Sequence, residues 1–586
     1  MAGAVFYSGA AAQDPPRDTV AVPRDTTPPP VDTVRTQPDT VVRRDTVKAP
    51  LARAELPLTV DVAGRYHWTR DELFAGGGLT LMELLERIPG ATAFRSGWLG
   101  TPAHVTWLGG GGRVRIFYDG IEIESFDDDT GGLLDLAEIQ LWTLEEVLVE
   151  RGADELRVYL RSWRVERTST ASRTDIFTGD DDTNVYRGWL GRRFAHGEAA
   201  QAGFQQYGTT GVPSGGGDEL SLIARLGWAG KRLSIDGFGI RARRQRNLQE
   251  RGDGYAIPRI NYIRRDAYGR VGIGDPERGG WAQLVLASQA FTRERIDPPR
   301  DSARDTLEVN RSRNQLIGAV GWSANAFRAS LTSRTYGGDE RLQSIVARVG
   351  LNHRIGAVGA LAEWRDGDST SLAELSARFS PVSFLSFAAV AAVRRAPSGA
   401  DADDVMSARG EVGLRIGDLW FTGGAVTLDS IHVIPPIIFD SSFVSTNEGR
   451  TSALFGGVRG RVWKAIHADV FAFRWEREGS YRPLMQVRSE VYVRTRWLKR
   501  FPSGLFGALI SVRHDYRDGV SFQTSTGPAI ALSSHELNSL LEIRIVDAII
   551  FWRQRYSIGQ RGNELVPGYG LPRQTTLYGV RWDFWN

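Results

Sequence analysis

Val487-Arg488-Ser489-Glu490-Val491-Tyr492-Val493-Arg494-Thr495-Arg496-Trp497 is the stretch on which the fold turns. Val487, Ser489, Val491, Val493, Thr495 and Trp497 alternate with Arg488, Glu490, Tyr492, Arg494 and Arg496. An extended chain sends alternate side chains to opposite faces, so this strand has one apolar face and one charged face. The pattern recurs elsewhere. Leu537, Ser539, Leu541, Ile543 and Ile545 oppose Asn538, Glu542 and Arg544, and Ile345, Ala347, Val349 and Leu351 oppose Ser344, Arg348 and Asn352. A soluble sandwich also alternates. Here, however, Arg and Glu recur on one face through the whole region from residue 172 onward, and the opposite face is weakly apolar, with small or aromatic side chains. That is the pattern of a transmembrane barrel with lipid outside and a polar lumen.

Dividing residues 172–586 gives about 22 strands, with starts near Arg173, Asn184, Glu198, Asp218, Arg232, Asn261, Gly280, Asn314, Arg328, Glu340, Ala357, Ser371, Phe384, Val405, Leu419, Thr451, Ala465, Pro483, Gly504, Glu536, Ala548 and Thr575. The longest connections follow odd-numbered strands: Arg244 to Arg259, Asp297 to Arg313, Ile431 to Arg450, Asp518 to Ser534 and Arg561 to Gln574. Those after even strands are short: Ala195-His196-Gly197, Gly417-Asp418, Lys464 and Pro502-Ser503. Short turns on one rim and long loops on the other is how outer-membrane barrels are built. With the N-terminus inside, the long loops face the exterior. The expected class is mostly β, an antiparallel transmembrane barrel preceded by a smaller α/β domain.

Composition is consistent with this and excludes much else. The 586 residues carry Lys+Arg 72 against Asp+Glu 69, a net charge of +3, which argues against a dedicated nucleic-acid binder. There is no Cys, so disulfide scaffolds, Cys-ligated zinc, iron–sulfur clusters and thiol catalysis are excluded. No run approaches 18 apolar residues, the length a membrane-spanning helix needs. Neither HExxH nor a nucleophile elbow is found, so neither an enzyme, a metal site nor a cofactor is expected. Gly109 to Gly112 lacks the Lys-Ser/Thr and helix of a phosphate cradle and reads as a loop. Asp127-Asp128-Asp129 and Asp180-Asp181-Asp182 read as exposed acidic turns, and His467 and Asp469 as ordinary strand residues beside Phe471 and Phe473.

Residues 58–167 read as a small α/β domain. Thr80 and Glu83 have capping-box spacing, and Leu81, Leu84, Leu85 and Ile88 make one apolar helix face that Pro89 and Gly90 terminate. Val114 to Tyr118 and Ile121 to Ile123 flank the hairpin turn Asp119-Gly120. Asp135 and Glu138 suggest a second cap. Glu146-Val147-Leu148-Val149-Glu150-Arg151-Gly152 reads as a strand running into a turn. In this order and spacing, TLMELLERIPGA, FYDGIEI and LEEVLVERGA resemble the plug domain of TonB-dependent outer-membrane receptors. Two departures stand out. Thr106-Trp107-Leu108-Gly109 replaces an Arg-Gly pair, and Leu156 to Trp163 replaces a Gly-rich segment.

The resemblance implies a plug inside the lumen, external loops that capture a small-molecule ligand, and an energised TonB complex that shifts the plug. Tyr578, Val580, Trp582 and Phe584 share one face of the last strand, which resembles the signal read by the barrel insertion machinery; Asn586 follows Trp585, a departure. Upstream, residues 1–12 read as the tail of a secretory signal or a flexible Ala/Gly end. Residues 13–57 read as an extended Pro/Asp/Thr/Val-rich tether that cannot build a core. Within it Asp39-Thr40-Val41-Val42 is similar to the TonB box, with Asp45-Thr46-Val47 second. A monomer in outer-membrane lipid, importing a scarce ligand such as a ferric siderophore, is the expectation. The rivals are a plugged barrel that binds, adheres or supports without transport, a barrel-embedded enzyme, and a soluble multidomain β protein.

Overall fold

In the computed structural model the described residues are 60–586, apart from 65, 76–78, 167, 211–215, 252–254, 297–305, 339–341, 367–368, 396–403, 559–563 and 586. The signal and tether readings, including Asp39 to Val42, lie outside them.

From Ala171 onward 22 strands form a closed barrel in which each pairs antiparallel with its sequence neighbours. The last strand, Gln574–Trp585, closes on the first, Ala171–Gly179, with Trp585 opposite Ala171 and Leu577 opposite Gly179. Gly217–Ala229 shows what the period-2 pattern does. Leu220, Leu222 and Leu226 point outward and are exposed, while Glu219, Ser221 and Arg225 are buried inside. Exposed leucines beside buried arginine invert the order of a soluble protein and fit a wall with hydrocarbon outside.

Strand starts fall within two residues of the sequence reading except for Thr306–Ser323, which begins eight residues before Asn314. That strand and its partner Arg278–Ile296 are long and stay paired to Thr306, so the connection expected from Asp297 to Arg313 is in part ladder. Inner-rim connections are short, two to four residues, with one exception: residues 496–505 separate Thr495 from Phe506, where only Pro502-Ser503 was expected. Four outer connections carry hairpins of their own, Gln249–Glu250 with Ala256–Ile257, Ile431–Val433 with Thr446–Glu448, Val520–Thr524 with Gly527–Ala531, and Glu564–Val566 with Tyr569–Gly570.

The preceding domain has a five-stranded sheet in the order β1 (Tyr66–Thr69), β6 (Leu144–Arg151), β7 (Leu156–Ser162), β4 (Val114–Tyr118), β5 (Ile121–Ile123), with β4 and β7 parallel. A separate hairpin joins β2 (Ala91–Arg95) and β3 (Ala103–Trp107), and two short helices, α1 (Arg70–Ala75) and α2 (Leu81–Leu85), lie beside them. α2 is shorter than its apolar periodicity suggests. It ends at Leu85, and a turn with Ile88 N donating to Leu85 O carries Ile88 into the same core. Leu81, Leu84, Leu85 and Ile88 are fully buried. The capping box is not formed as expected. Thr80 makes no side-chain cap, and Glu83 instead accepts from Leu79 N at 2.7 Å. Asp135 does cap, accepting from Ala137 N at 3.0 Å. Asp119 and Gly120 both take positive φ (49° and 86°), the backbone a two-residue hairpin turn requires. This domain sits inside the barrel, for its side chains meet inward-facing residues around the wall.

Candidate functional site

The contact between plug and wall combines apolar packing, with Trp163 stacked on Trp189 at 3.6 Å and Tyr118 5.6 Å from Phe238, and a dense set of ion pairs. Arg151 at the end of β6 donates to Glu411 at 2.8 Å and to Asp61 at 2.6 Å. Arg115 on β4 grips Glu363 through two bonds of 2.5 and 2.9 Å and pairs with Glu122 of its own hairpin at 2.7 Å. Arg157 on β7 reaches Glu374 and holds Glu150 at 2.9 Å. The sign inverts elsewhere around the lumen, where the plug presents acids and the wall presents arginines. Glu83 meets Arg553 at 2.9 Å, Glu86 meets Arg488 at 3.1 Å, Asp127 meets Arg293 at 2.6 Å, Glu138 meets Arg264 at 2.9 Å, Asp154 meets Arg394, and Asp135 meets Arg246. Most of these side chains are buried. Burial pushes the Glu83 carboxyl up, but Arg553 and then Arg95 outweigh it and hold the group down to about 2. At Asp127 burial wins over Arg293 and raises the carboxyl to about 6. Breaking one partner of such a buried pair is costly, about 3–5 kcal/mol, although the intact pair adds little over an apolar contact. The ionic part of the interface is therefore specific to its partners.

The outer mouth is closed by different chemistry. Ile257, Ile431, Val433, Ile437, Phe443, Tyr481, Val520, Phe522, Ala531, Val566 and Tyr569 converge from five outer connections and form one buried cluster with Phe94 of β2. Phe522 stands edge-on to Phe94 at 5.8 Å and to Tyr481 at 5.4 Å. Tyr481, at a positive φ of 57°, donates through its hydroxyl to Val444 O at 2.5 Å. Asp440 pins the cap further, accepting from Arg251 at 3.1 Å and from the Tyr569 hydroxyl at 2.8 Å. The Gly109 to Gly112 loop is explained here. A Cβ on Gly111 would lie 2.8 Å from the carbonyl oxygen of Ile434, so glycine lets the cap's longest loop seat on the plug.

Between cap, β2 and wall lies a recess lined by Arg95, Arg488, Arg517 and Arg555 and by Glu86, Asp515 and Glu536. Arg517 ties the three parts together, donating to Ala93 O of the plug at 3.0 Å and to Leu565 O of the cap at 2.8 Å. Arg488 pairs there with Glu86 at 3.1 Å and with Asp515 at 2.5 Å, and Arg555 pairs with Glu536, so the lining is polar and close to charge balance. Among the described residues no cluster of His, Asp or Glu has the arrangement of a metal site.

No family model and no curated protein matches the sequence. Solved structures do match. A variant of the ferric enterobactin receptor PfeA of Pseudomonas aeruginosa aligns with a TM-score of 0.68 at 10% identity, over 89% of this chain and 98% of that one. The siderophore receptor PirA of Acinetobacter baumannii gives 0.67 at 11%, over 90% and 100%, and the FrpB iron transporter of Neisseria meningitidis 0.67 at 10%, over 89% and 99%. The chain has the fold of a plugged outer-membrane receptor barrel.

Within this receptor-type barrel the residues singled out from sequence scatter by role. Leu81, Leu84, Leu85, Ile88 and Val147 lie in the plug core, and Gly90 takes a φ of 93° that ends the turn after α2. Glu146 pairs with His67 at 2.8 Å and Arg161 at 3.3 Å. Gly152 follows Arg151 at the turn beside Glu374. Of that set Arg151 and Asp119 reach the wall, Asp119 lying 4.0 Å from Arg225 and accepting from the Tyr268 hydroxyl. Tyr578, Val580 and Trp582 face outward and are exposed, with Phe584 half-buried in the closing strand. His467 stacks on Tyr492 and Asp469 pairs with Arg459 at 3.4 Å, as strand residues. The plug–wall partners and Arg517 escaped sequence reading. The one available signal was the excess of Arg on the inward parity.

Proposed function

We propose that this chain is a TonB-dependent outer-membrane transporter that takes up a scarce small ligand, as the ferric enterobactin receptor, siderophore receptor and iron transporter it resembles in fold suggest. One observation carries the reading. The plug fills the lumen and meets the wall through many buried ion pairs beside its apolar packing, so it seals the barrel while water can take over the polar part of the contact if the plug moves. The TonB-type complex would supply that movement through the tether, with Asp39-Thr40-Val41-Val42 as its contact. The ligand would be small and polar, because the recess between cap and plug is lined by paired arginines and carboxylates. Proteins of the barrel insertion machinery would read the outward row Tyr578, Val580, Trp582 and Phe584.

The inward-packed cap favours a second reading, a plugged barrel that binds or supports without energised transport. One experiment separates the two. Cells expressing the chain with residues 39–42 deleted are expected to lose uptake of a labelled ferric siderophore to background while surface binding persists. Unchanged uptake with an intact barrel would end the transporter reading.

A further inference from the structure

The inner rim carries one irregular piece. Residues 496–505 form a compact turn in which Arg500 N and Phe501 N both donate to Trp497 O at 2.8 Å and Gly504 N donates to Phe501 O at 3.1 Å. Its sequence, Arg496-Trp497-Leu498-Lys499-Arg500-Phe501-Pro502-Ser503-Gly504-Leu505, holds three cations and no acid. Trp497, Leu498, Phe501 and Leu505 are 52%, 55%, 37% and 52% exposed. The aromatics are not hanging free. Trp497 stacks on Phe506 at 5.4 Å and Phe501 packs on it at 4.7 Å. Phe506 shares its parity with Ile510 and Val512, exposed on the lipid side of the wall, so the turn folds back against the outer surface of the barrel.

Neighbouring turns continue the patch. Arg494 N donates to Ala465 O at 3.3 Å, which brings up the turn of Trp463 and Lys464, with the ammonium 4.1 Å over the indole. Val546 N donates to Leu505 O at 2.6 Å and adds an exposed valine on the other side. Among the described residues Arg496, Lys499 and Arg500 make no ion pair, whereas Arg415 and Arg461 on a nearby inner turn share Asp418. Unpaired cations beside exposed rings, at the level where hydrocarbon gives way to water, complement an anionic amphiphile.

We propose that this turn is an interfacial foot that binds the headgroup of an anionic phospholipid, with Arg496, Lys499 and Arg500 on the phosphate and Trp497, Leu498 and Phe501 among the acyl chains. The test uses the full chain extracted in non-ionic detergent, with bound lipid counted by native mass spectrometry. Phosphatidylglycerol is expected to be retained about tenfold better than phosphatidylcholine, and millimolar inorganic phosphate is expected not to displace it. The variant R496Q/K499Q/R500Q should lose the preference. K231Q/R232Q, on another inner turn, should keep it. W497A should weaken both lipids equally and leave the ratio alone. Equal retention of the two lipids, displacement by phosphate, an unchanged ratio in the triple variant, or an equal loss in the K231Q/R232Q control would each overturn the proposal.

Discussion

Where the plug meets the wall, Arg115, Arg151 and Arg157 face Glu363, Glu374 and Glu411, and acids of the plug face arginines around the rest of the lumen. Where the outer connections meet one another and Phe94, the contacts are aromatic and aliphatic. Both seals close the same lumen. The ionic one depends on partner identity and survives hydration; the apolar one depends on filled volume and exclusion of water. The difference teaches that charge adds partner-specific contacts to the plug's packing, whereas the cap is held mainly by packing.

Four perturbations would break or sharpen that contrast. The largest effect is expected from changing Glu363, Glu374 and Glu411 together to Gln, which strands three buried guanidiniums with only their intra-plug partners or Asp61. Each loss should cost up to about 3 kcal/mol. The plug should loosen, read as raised single-channel conductance and faster proteolysis of residues 60–167, with the barrel's strand signal intact. A closed pore in this variant would show that charge does not place the plug. Phe522→Ala should cost about 3–5 kcal/mol within the cap and speed hydrogen exchange across 476–484 and 518–533. Conductance should not change, because the plug beneath remains seated. If the pore opened, the two seals would be one unit.

A pH titration distinguishes them next. Glu83 sits at about 2 in the folded chain against an ordinary 4.5, because Arg553 and Arg95 override the burial that would raise it. A lowered acid contributes stability that is present above about pH 4.5 and lost as pH falls through about 2, here about 3 kcal/mol. Plug release by acid should therefore begin below about pH 4.5, and Glu83→Gln should flatten that limb. The smallest effect is expected from Asp418→Asn, which removes the partner of Arg415 and Arg461 on an exposed inner turn. No change in melting temperature or conductance should be seen. A clear loss would mean that surface charge on this rim matters as much as the buried pairs.

The wall was largely legible in the sequence because a period of two with charge on one parity leaves a mark in every strand. The misses have physical causes. Thr306 to Arg313 reads as loop because its polar residues alternate weakly, yet it pairs with a strand that runs past the hydrocarbon band, where outward residues need not be apolar. The 496–505 turn was underestimated because Trp497, Leu498 and Phe501 look like strand and barrel-girdle residues. α2 was drawn too long because Ile88 keeps the helical spacing after the helix has stopped. The plug–wall pairs were not legible at all. Glu83 and Arg553 are far apart in the chain, and nothing local to either names the other. The inward-folded cap escaped for the same reason, although Gly111 held a trace of it.

The order of segments along the chain has a consequence for biogenesis. The enclosed domain precedes the wall in the chain, and the seam that shuts the cylinder is sewn by Gln574–Trp585 against Ala171–Gly179. Without Gln574–Trp585 the sheet is slit, with an unpaired edge on each side.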